Sequence, residues 1–542
     1  MKMTKYFFTG FLLIAGAFAL YGQNIELPDV TTVISGETVK AGTDALPDFE
    51  DLLVIPEDSG TVIPQLPDVD TPSSSEALPE PSSQAEKTIF AEGLIGGGYP
   101  SLFTGDFSVF RLSGQSPFKI HFSHDSANGY GNHSLSEGFN DRTTNLSVEK
   151  SFEKVLQSNQ INWGFAASYQ ALSNGLQNHL PGITNLNQDD YAGKASFSWL
   201  FANGFSLGLN AGVNLYSRYA DDSTGTFETV SVLNLNPDLF FNWAGYGFKA
   251  GLTANYDFEK DLENLITSQN TQEILAAHRG KFGANLEWAN DFIKVYGDVY
   301  ALMGNTLNEN DVIVPFSLGL DLSFPVYFSN RKFSISARGG LDSYMNKISD
   351  LERKYKFTTL TQLPQETSDW FGKIDFSVPL KESFTGNLSV EYRQTAFDNG
   401  YWQPVYSNQT AAIYSYELKN LQQLNSQISL SYHYKIFSVT GGWNVFWMDL
   451  PAMEDACQLV LDLNFQSQNS SWGADLKTIY SLDSDDKDPI INFEAFARLT
   501  SALRAVISVE DSLKLIKGQT RLYAGNYITR GGRASLLLKF FF

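Results

Sequence analysis

The stretch Gln427–Ile436, QISLSYHYKI, alternates apolar and polar side chains without a break. One parity holds Ile428, Leu430, Tyr432, Tyr434 and Ile436, and the other holds Gln427, Ser429, Ser431, His433 and Lys435. Because successive side chains of a strand point to opposite faces, this pattern predicts a β-strand with one apolar and one polar face. The same period of two recurs in Lys332–Leu341 and in Gln458–Gln466, where Val460 is the exception.

The predicted strands have the dimensions of membrane-spanning strands. They run for about ten to twelve residues, which suits a tilted crossing of a hydrocarbon layer of ~30 Å. Short connections such as 201–205 alternate with long polar ones such as 346–366 and 399–421. Short turns on one side and long loops on the other are typical of outer-membrane barrels. We therefore predict an all-β fold, a transmembrane antiparallel β-barrel of about 22 strands (roughly 20–24) over residues 88–542.

The chain ends on an apolar strand, GGRASLLLKFFF. Its apolar parity holds Leu536, Leu538, Phe540 and Phe542, and its polar parity holds Arg533, Ser535 and Lys539, with Leu537 and Phe541 as exceptions. An unpaired strand edge is not tolerated in hydrocarbon, so this strand is expected to pair with the first one and close the barrel. A terminal aromatic after alternating apolar residues also resembles the assembly signal read by the barrel-insertion machinery.

The first 22 residues have the layout of a secretory signal peptide. Lys2 and Lys5 precede an apolar core over 7–20, and small residues follow. The core is shorter than the ~18–20 residues that a membrane-spanning helix needs. The mature protein is therefore expected to be exported, to the outer membrane of a diderm bacterium.

Residues 23–87 form an acidic, Pro-rich segment. It contains 14 acidic residues against Lys40 and Lys87, a net charge of −12. Such a composition predicts a disordered tail, placed in the periplasm. A Leu-Pro-acid-apolar phrase recurs three times, as Leu27-Pro28-Asp29-Val30, Leu46-Pro47-Asp48-Phe49 and Leu66-Pro67-Asp68-Val69. Proline extends the backbone, so these phrases suit binding to a periplasmic partner, although a plain linker is an equal alternative.

The composition excludes several functions. A net charge of −22 argues against nucleic acid as a partner, and a single cysteine, Cys457, excludes an intrachain disulfide framework. The sequence has no Walker-type loop, no G-x-S-x-G elbow and no H-E-x-x-H motif, so we expect neither an enzyme nor a cofactor. His121 and His124 are three apart, which places them on opposite faces of a strand.

A cluster of aspartates occupies a predicted outer loop. It comprises Asp483, Asp485, Asp486 and Asp488. Carboxylate oxygens are ligands for Ca²⁺, but the segment lacks the glycine and the distal glutamate of an EF-hand loop. A solvated charge cluster is the favoured interpretation.

Two stretches resemble the barrel of TonB-dependent receptors. Val506–Phe542, VISVEDSLKLIKGQTRLYAGNYITRGGRASLLLKFFF, is similar to the closing two strands of that family, with loop aromatics Tyr523 and Tyr527. FAEGLIGGGYPSLFTGDFSVFRL, residues 90–112, resembles its first strands. The resemblance implies 22 strands. The family also has an N-terminal plug of more than a hundred residues, and here about sixty-five residues separate the signal peptide from the first strand, so we expect no plug domain in this chain.

Two functions follow as expectations. The first is an outer-membrane transporter or channel, either an open pore or the barrel subunit of a receptor whose plug is a separate protein. Residues 26–34 resemble the TonB box, so a TonB-like periplasmic protein is a candidate partner. The alternative is a surface-exposed adhesin or interaction protein on a barrel scaffold, with the tail binding a periplasmic partner.

Overall fold

The computed structural model describes residues 89–542 apart from 112–115, 223–226, 228, 264–275, 308–311, 327–328, 407–411 and 485. The predicted signal peptide, the predicted tail with its three Leu-Pro-acid phrases, and Asp485 lie outside these ranges. The division at 22/23 and 87/88 therefore stays a prediction.

Strands dominate the described residues. In the first half of the chain they are β1 (Phe90–Tyr99), β2 (Leu102–Arg111), β3 (Phe118–Asn128), β4 (Asn140–Leu156), β5 (Asn159–Gly175), β6 (Ile183–Leu200), β7 (Phe205–Asp222), β8 (Val230–Gly245), β9 (Phe248–Asp261), β10 (Ala276–Ala289), β11 (Ile293–Gly304), β12 (Val312–Ile313) and β13 (Phe316–Val326).

The second half adds β14 (Ser329–Tyr344), β15 (Thr367–Lys381), β16 (Phe384–Thr395), β17 (Tyr401–Pro404), β18 (Tyr416–Lys419), β19 (Gln422–Tyr434), β20 (Phe437–Phe446), β21 (Cys457–Gln466), β22 (Trp472–Ser481), β23 (Ile490–Arg498), β24 (Leu503–Glu510), β25 (Leu522–Ala524), β26 (Tyr527–Ile528) and β27 (Arg533–Phe541). The helices are α1 (Ile348–Lys354), α2 (Ser512–Lys517) and one 3-10 helix (Leu135–Glu137). None of the helices in the described ranges is long and apolar enough to cross a membrane.

One antiparallel sheet forms the barrel. It contains 23 strands, of which the two-residue β12 pairs only with β11, so 22 strands form the wall. The first strand pairs with the last, with Glu92 opposite Phe541 and Tyr99 opposite Ala534. The predicted count and the predicted closure by the C-terminal strand are both confirmed.

Glycines in β1 allow this closure. A Cβ built on Gly98 would lie 1.9 Å from the carbonyl oxygen of Ala534, and one on Gly96 would lie 2.2 Å from that of Leu536. Gly96 also explains why Leu537 departs from the alternation of β27, because a Cβ there would lie 2.5 Å from Cδ2 of Leu537. The inward-facing leucine thus takes the space that a side chain at Gly96 would occupy.

The apolar parity faces outward around the barrel. Large apolar side chains of this parity are strongly exposed, as at Leu318 (68%), Leu252 (59%) and Leu286 (58%). The opposite parity carries Asn, Ser, Asp, Lys and Arg into the lumen. An apolar exterior and a polar interior are what a barrel in a bilayer requires.

The two ends of the barrel differ. Short connections join β4 to β5, β6 to β7 and β19 to β20 at one end, which we call the turn rim, where β1 begins and β27 ends. Long connections lie at the other end, the loop rim, and include 345–366, 396–421 and 511–532. This alternation confirms the predicted layout.

Strand length matches the prediction in part of the wall, as in β1, β2 and β3 with 10, 10 and 11 residues, and exceeds it elsewhere. The prediction was ten to twelve residues, but β6 and β7 each have 18. Their loop-rim halves carry polar side chains such as Asn187, Gln188 and Asp190, which continue the ladder beyond the apolar band. The bilayer fixes the length of the apolar band and leaves the polar extension free.

Candidate functional site

The lumen near the loop rim is occupied by the connection between β14 and β15. We call residues 345–366 the inner loop; it contains α1. Its residues contact strands β5 to β9 on another part of the wall. Since β14 is the thirteenth of the barrel strands and β5 the fifth, the inner loop extends across the lumen.

Glu352 of α1 is the central anchor of the inner loop. Its side chain is fully buried and forms an ion pair with Nη1 of Arg218 on β7. The hydroxyl of Tyr216, also on β7, donates to Oε2 of Glu352 at 2.7 Å. The backbone N–H of Leu360 donates to Oε1 at 2.8 Å. A buried carboxylate held by a cation and two further donors has its charge and its lone pairs satisfied.

Further polar contacts hold both ends of α1. Arg353 forms an ion pair with Asp190 on β6 and donates to Oε1 of Gln170 on β5 at 3.1 Å. At the start of α1, the N–H of Ile348 donates to Oε1 of Glu259 on β9 at 3.2 Å. Together with the contacts of Glu352, these contacts fix α1 against four strands of the wall, β5, β6, β7 and β9.

An apolar cluster lies beside these polar anchors. It consists of Tyr216, Val230, Val232, Ile348, Leu351, Leu360 and Trp402, all at most 9% exposed. The cluster joins wall, inner loop and the β17–β18 hairpin. Burial of a side chain of this size stabilises by about 1.5–3 kcal/mol, so the cluster adds to the anchoring of the inner loop by its charged contacts.

The β17–β18 hairpin packs against the inner loop. The hydroxyl of Tyr416 donates to the carbonyl oxygen of Leu351 at 2.9 Å. Trp402 donates through Nε1 to the carbonyl oxygen of Gln365 at 3.1 Å. A backbone hydrogen bond also joins the two segments, since the N–H of Tyr414 donates to the carbonyl oxygen of Phe357 at 2.8 Å.

The connection between β24 and β27, residues 511–532, also packs against the inner loop. We call it the closing loop. The ring of Tyr527 stacks on that of Phe357, with centroids 3.6 Å apart and planes 3° apart. The hydroxyl of Tyr523 accepts a bond from the N–H of Lys356 at 3.0 Å. Gln177 exchanges two hydrogen bonds with the backbone of Ile528, at 2.8 and 3.0 Å. We call the inner loop, the hairpin and the closing loop together the loop roof.

The predicted aspartate cluster lies beside the closing loop. Lys514 of α2 forms ion pairs with Asp486 at 2.9 Å and with Asp488 at 3.0 Å, and Lys517 reaches Asp488 at 2.6 Å. Hydrogen bonds from Lys517 and Lys514 lower the pKa of Asp488 to about 2. Asp483 lies apart and accepts bonds from the N–H groups of Ala456 and Cys457. The described aspartates therefore hold loop segments together, and lysines neutralise two of them.

The described part of the chain leaves a cavity in the lumen at the turn rim. A cavity of about 940 Å³ lies against β1 to β9. Its polar lining includes Lys119, Lys194, Glu149, Asn210 and Asn236. A polar cavity of this size is wide enough for a hydrated solute or a segment of polypeptide.

On the polar parity of the sequence, Glu391 shares a strand face with Arg393 and Glu494 shares one with Arg498, which predicts two pairs that order the lumen wall. Glu391 and Arg393 pair at 2.6 Å, as expected, and Arg393 also reaches Asp369 at 3.0 Å. Glu494 lies opposite Asp475 on the neighbouring strand, and no ion pair joins it to Arg498 within the described ranges. Four residues along a strand separate the two side chains too far for contact.

The remaining sequence candidates lie in the wall. Leu536, Leu538 and Phe540 face outward on β27, and Phe542 forms two backbone hydrogen bonds with Ala91. His121 contacts Asp106 and His124 contacts Thr144, so the two histidines do not meet. The assembly role of β27 stays a prediction.

No pattern in the sequence indicates the inner-loop anchors. Glu352 and Arg353 stand in a polar loop pattern, and their partners lie on strands more than 130 positions away. The one available signal was the length of the 346–366 connection, since loops of more than about 12–15 residues usually have a function.

Comparison with known proteins supports the barrel assignment. The FrpB iron transporter from Neisseria meningitidis (F3-3 variant) superposes with a TM-score of 0.61 at 10% identity, over 84% of this chain and 82% of that one. A mutant of the ferric enterobactin receptor PfeA from Pseudomonas aeruginosa gives 0.60 at 9%, over 84% and 80%. The siderophore receptor PirA from Acinetobacter baumannii gives the same four values.

No family model matches the sequence, and no curated protein is similar to it in sequence. At identities of 9–10% the structural likeness concerns the fold. The resemblance read from both ends of the sequence is confirmed at that level: this chain shares the fold of these receptors, a closed barrel of 22 antiparallel strands.

Proposed function

We propose that this protein is a gated transporter barrel of the outer membrane, in which the inner loop is the gate. The turn rim faces the periplasm, because short turns and both ends of the barrel chain lie there. The loop rim faces the outside. A solute would pass between the loop roof and the polar cavity at the turn rim.

One observation carries this proposal. Glu352, on a loop that leaves the wall at β14, pairs with Arg218 on the far wall. Burying an ion pair carries a desolvation penalty that apolar side chains would avoid, so this pair supports an element that can detach from the wall. Purely structural packing of the loop would need only the apolar cluster.

A second part of the proposal concerns the cavity at the turn rim. We propose that a separate plug protein enters this part of the lumen, which is lined by charged and amide side chains such as Lys119, Lys194 and Asn236. The neighbours are named as iron or siderophore proteins. Fold alone does not transfer those solutes to this chain.

Conductance in planar bilayers tests the gate. The native barrel should conduct rarely, and a variant with residues 349–362 replaced by a short Gly-Ser linker should conduct steadily. Equal conductance of the two proteins would contradict the gate. Persistent closure of both, with ligand bound to the loops, would favour the alternative of an adhesin or interaction protein.

A pull-down tests the partners. The mature protein is used as bait for periplasmic proteins, alongside a variant in which Pro28, Pro47 and Pro67 are replaced by alanine. We expect a plug-like or TonB-like protein to bind, and the variant to retain less of it while assembling a normal barrel. Recovery of the same proteins by both baits would exclude the Leu-Pro-acid phrases as the contact.

A further inference from the structure

A row of three lumen-facing side chains crosses β7, β8 and β9 next to the start of α1. Asn214 lies opposite Asn234, and Asn234 lies opposite Glu259. Side chains directly opposite on neighbouring strands have Cβ atoms about 4.5–5.5 Å apart. Asn234 therefore stands between the other two, within reach of both.

Two members of this row are buried and Asn214 is half-buried, and the row carries polar atoms without a protein partner. Glu259 is 0% exposed and Asn234 is 3% exposed. Oε2 of Glu259, Oδ1 of Asn214 and both amide atoms of Asn234 have no hydrogen-bond partner among the residues that the structure describes. A buried polar atom left without a partner costs about 1–3 kcal/mol, so four in one place point to a bound group.

Charge gives the sign of that group. Three carboxylates near the row each have a cation: Glu352 has Arg218, Asp190 has Arg353, and Asp257 has Lys347 at 3.9 Å. Glu259 itself has no basic side chain within ion-pair distance in the described part of the chain, and its carboxylate accepts a hydrogen bond from the N–H of Ile348. An isolated buried carboxylate is strongly unfavourable unless a cation or a proton neutralises it.

The available ligands select the kind of cation. Carboxylate and amide oxygens are the ligands of hard cations, above all Ca²⁺, which takes six to eight oxygens in flexible geometry. Among the described residues no three His, Cys, Asp or Glu side chains form a metal-binding group, so the two asparagine oxygens would have to contribute. Water would supply the remaining ligands, which matches the weak sites of extracellular modules, with Kd of roughly 10⁻⁴–10⁻³ M.

We propose that Asn214, Asn234 and Glu259 bind a Ca²⁺ ion in the lumen wall, next to α1. The ion would neutralise Glu259, whose other carboxylate oxygen holds the N–H of Ile348 at 3.2 Å. Calcium would thereby fix the N-terminal end of α1 to the wall. This binding site does not depend on whether the barrel conducts solutes.

Binding is measured with the refolded mature protein in detergent, by tyrosine-sensitised Tb³⁺ luminescence with displacement by Ca²⁺. Tyr216 lies two residues from Asn214 on the same face and can transfer energy to the ion. We expect Glu259→Gln to weaken binding at least tenfold, and Asn234→Ala, which keeps the carboxylate and removes an oxygen that has no protein partner, to weaken it severalfold. A matched control is Glu287→Gln, which removes a lumen carboxylate already paired with Lys249 and Lys294.

Three outcomes are informative. Binding lost in Glu259→Gln and Asn234→Ala but retained in Glu287→Gln supports the site. Binding that survives both substitutions and disappears in Asp486→Asn/Asp488→Asn places the ion at the loop rim and overturns it. No binding up to about 10 mM Ca²⁺, a concentration above the roughly 10⁻³ M limit for weak sites, also overturns it and leaves a protonated Glu259 as the explanation.

Discussion

Glu352 on α1 and Tyr216 on β7 are 136 positions apart in the chain, yet the tyrosine hydroxyl donates a 2.7 Å hydrogen bond to the glutamate carboxylate. Both side chains are buried. This bond and the adjacent ion pair to Arg218 connect a loop to a wall that it does not adjoin in sequence. How easily the inner loop detaches from that wall therefore depends on these three side chains.

Glu352→Gln should release the inner loop. The substitution leaves the guanidinium of Arg218 buried without its counter-charge, which costs about 3–5 kcal/mol in comparable buried pairs. We expect more frequent opening in planar bilayers and faster proteolysis within residues 345–366. The control is Glu417→Gln, because Glu417 forms an exposed pair with Lys419 on the same loop roof. Unchanged opening in Glu352→Gln would show that the apolar cluster alone holds the loop.

Phe357→Ala should loosen the closing loop and the inner loop together. The substitution removes the stacked partner of Tyr527 and leaves a cavity, at a cost of about 3–5 kcal/mol for a buried phenylalanine. Hydrogen exchange should accelerate in both 345–366 and 512–532. Phe397→Ala is the matched control, since Phe397 is 48% exposed at the same rim. Acceleration confined to the inner loop would show that the two loops are not coupled through this stack.

Acid should detach α2 from the aspartate loop. Asp488 has a folded pKa of about 2, below its ordinary value of 3.8, because Lys517 and Lys514 donate hydrogen bonds to the carboxylate. A lowered pKa contributes stability that is complete above the ordinary value and is lost as the pH falls from 3.8 through about 2. The hydrogen-exchange protection of α2, corrected for the intrinsic pH dependence of amide exchange, should therefore be higher near pH 5 than near pH 2.5. Asp488→Asn should weaken this dependence, and an identical acid response in that variant would assign it to another group.

A charge on β27 should be tolerated on one face only. Leu536 is 56% exposed on the outward face, whereas Ser535 faces the lumen. Leu536→Arg places a cation in lipid at a cost of about 2–4 kcal/mol near the midplane, so less heat-modifiable barrel should form in membranes. Ser535→Arg, its neighbour, should assemble normally. Equal assembly of both variants would contradict the assignment of the outward face to lipid.

The wall was predictable in detail and the roof was not. The alternation of Gln427–Ile436 identifies β19, and the end of the chain identifies β27 as the closing strand, with Leu537 as an exception that only the position of Gly96 explains. The sequence shows that the connection 346–366 is long, but it does not show that this connection enters the lumen. The expected pair of Glu494 with Arg498 does not form in the described structure, because facing the same side of a strand does not bring residues four apart into contact.

The sequence by itself determined the barrel. Its period of two places apolar side chains outside and polar side chains inside, in an even number of strands. A bilayer imposes this alternation on every strand separately, so each strand can be recognised from its own sequence. Only the tertiary structure decided what fills the lumen. Glu352 contacts Arg218, and Phe357 contacts Tyr527, over long sequence distances, and such contacts produce no periodic pattern in the sequence. The row of Asn214, Asn234 and Glu259 is of the same kind, since strand register rather than sequence distance brings its oxygens together.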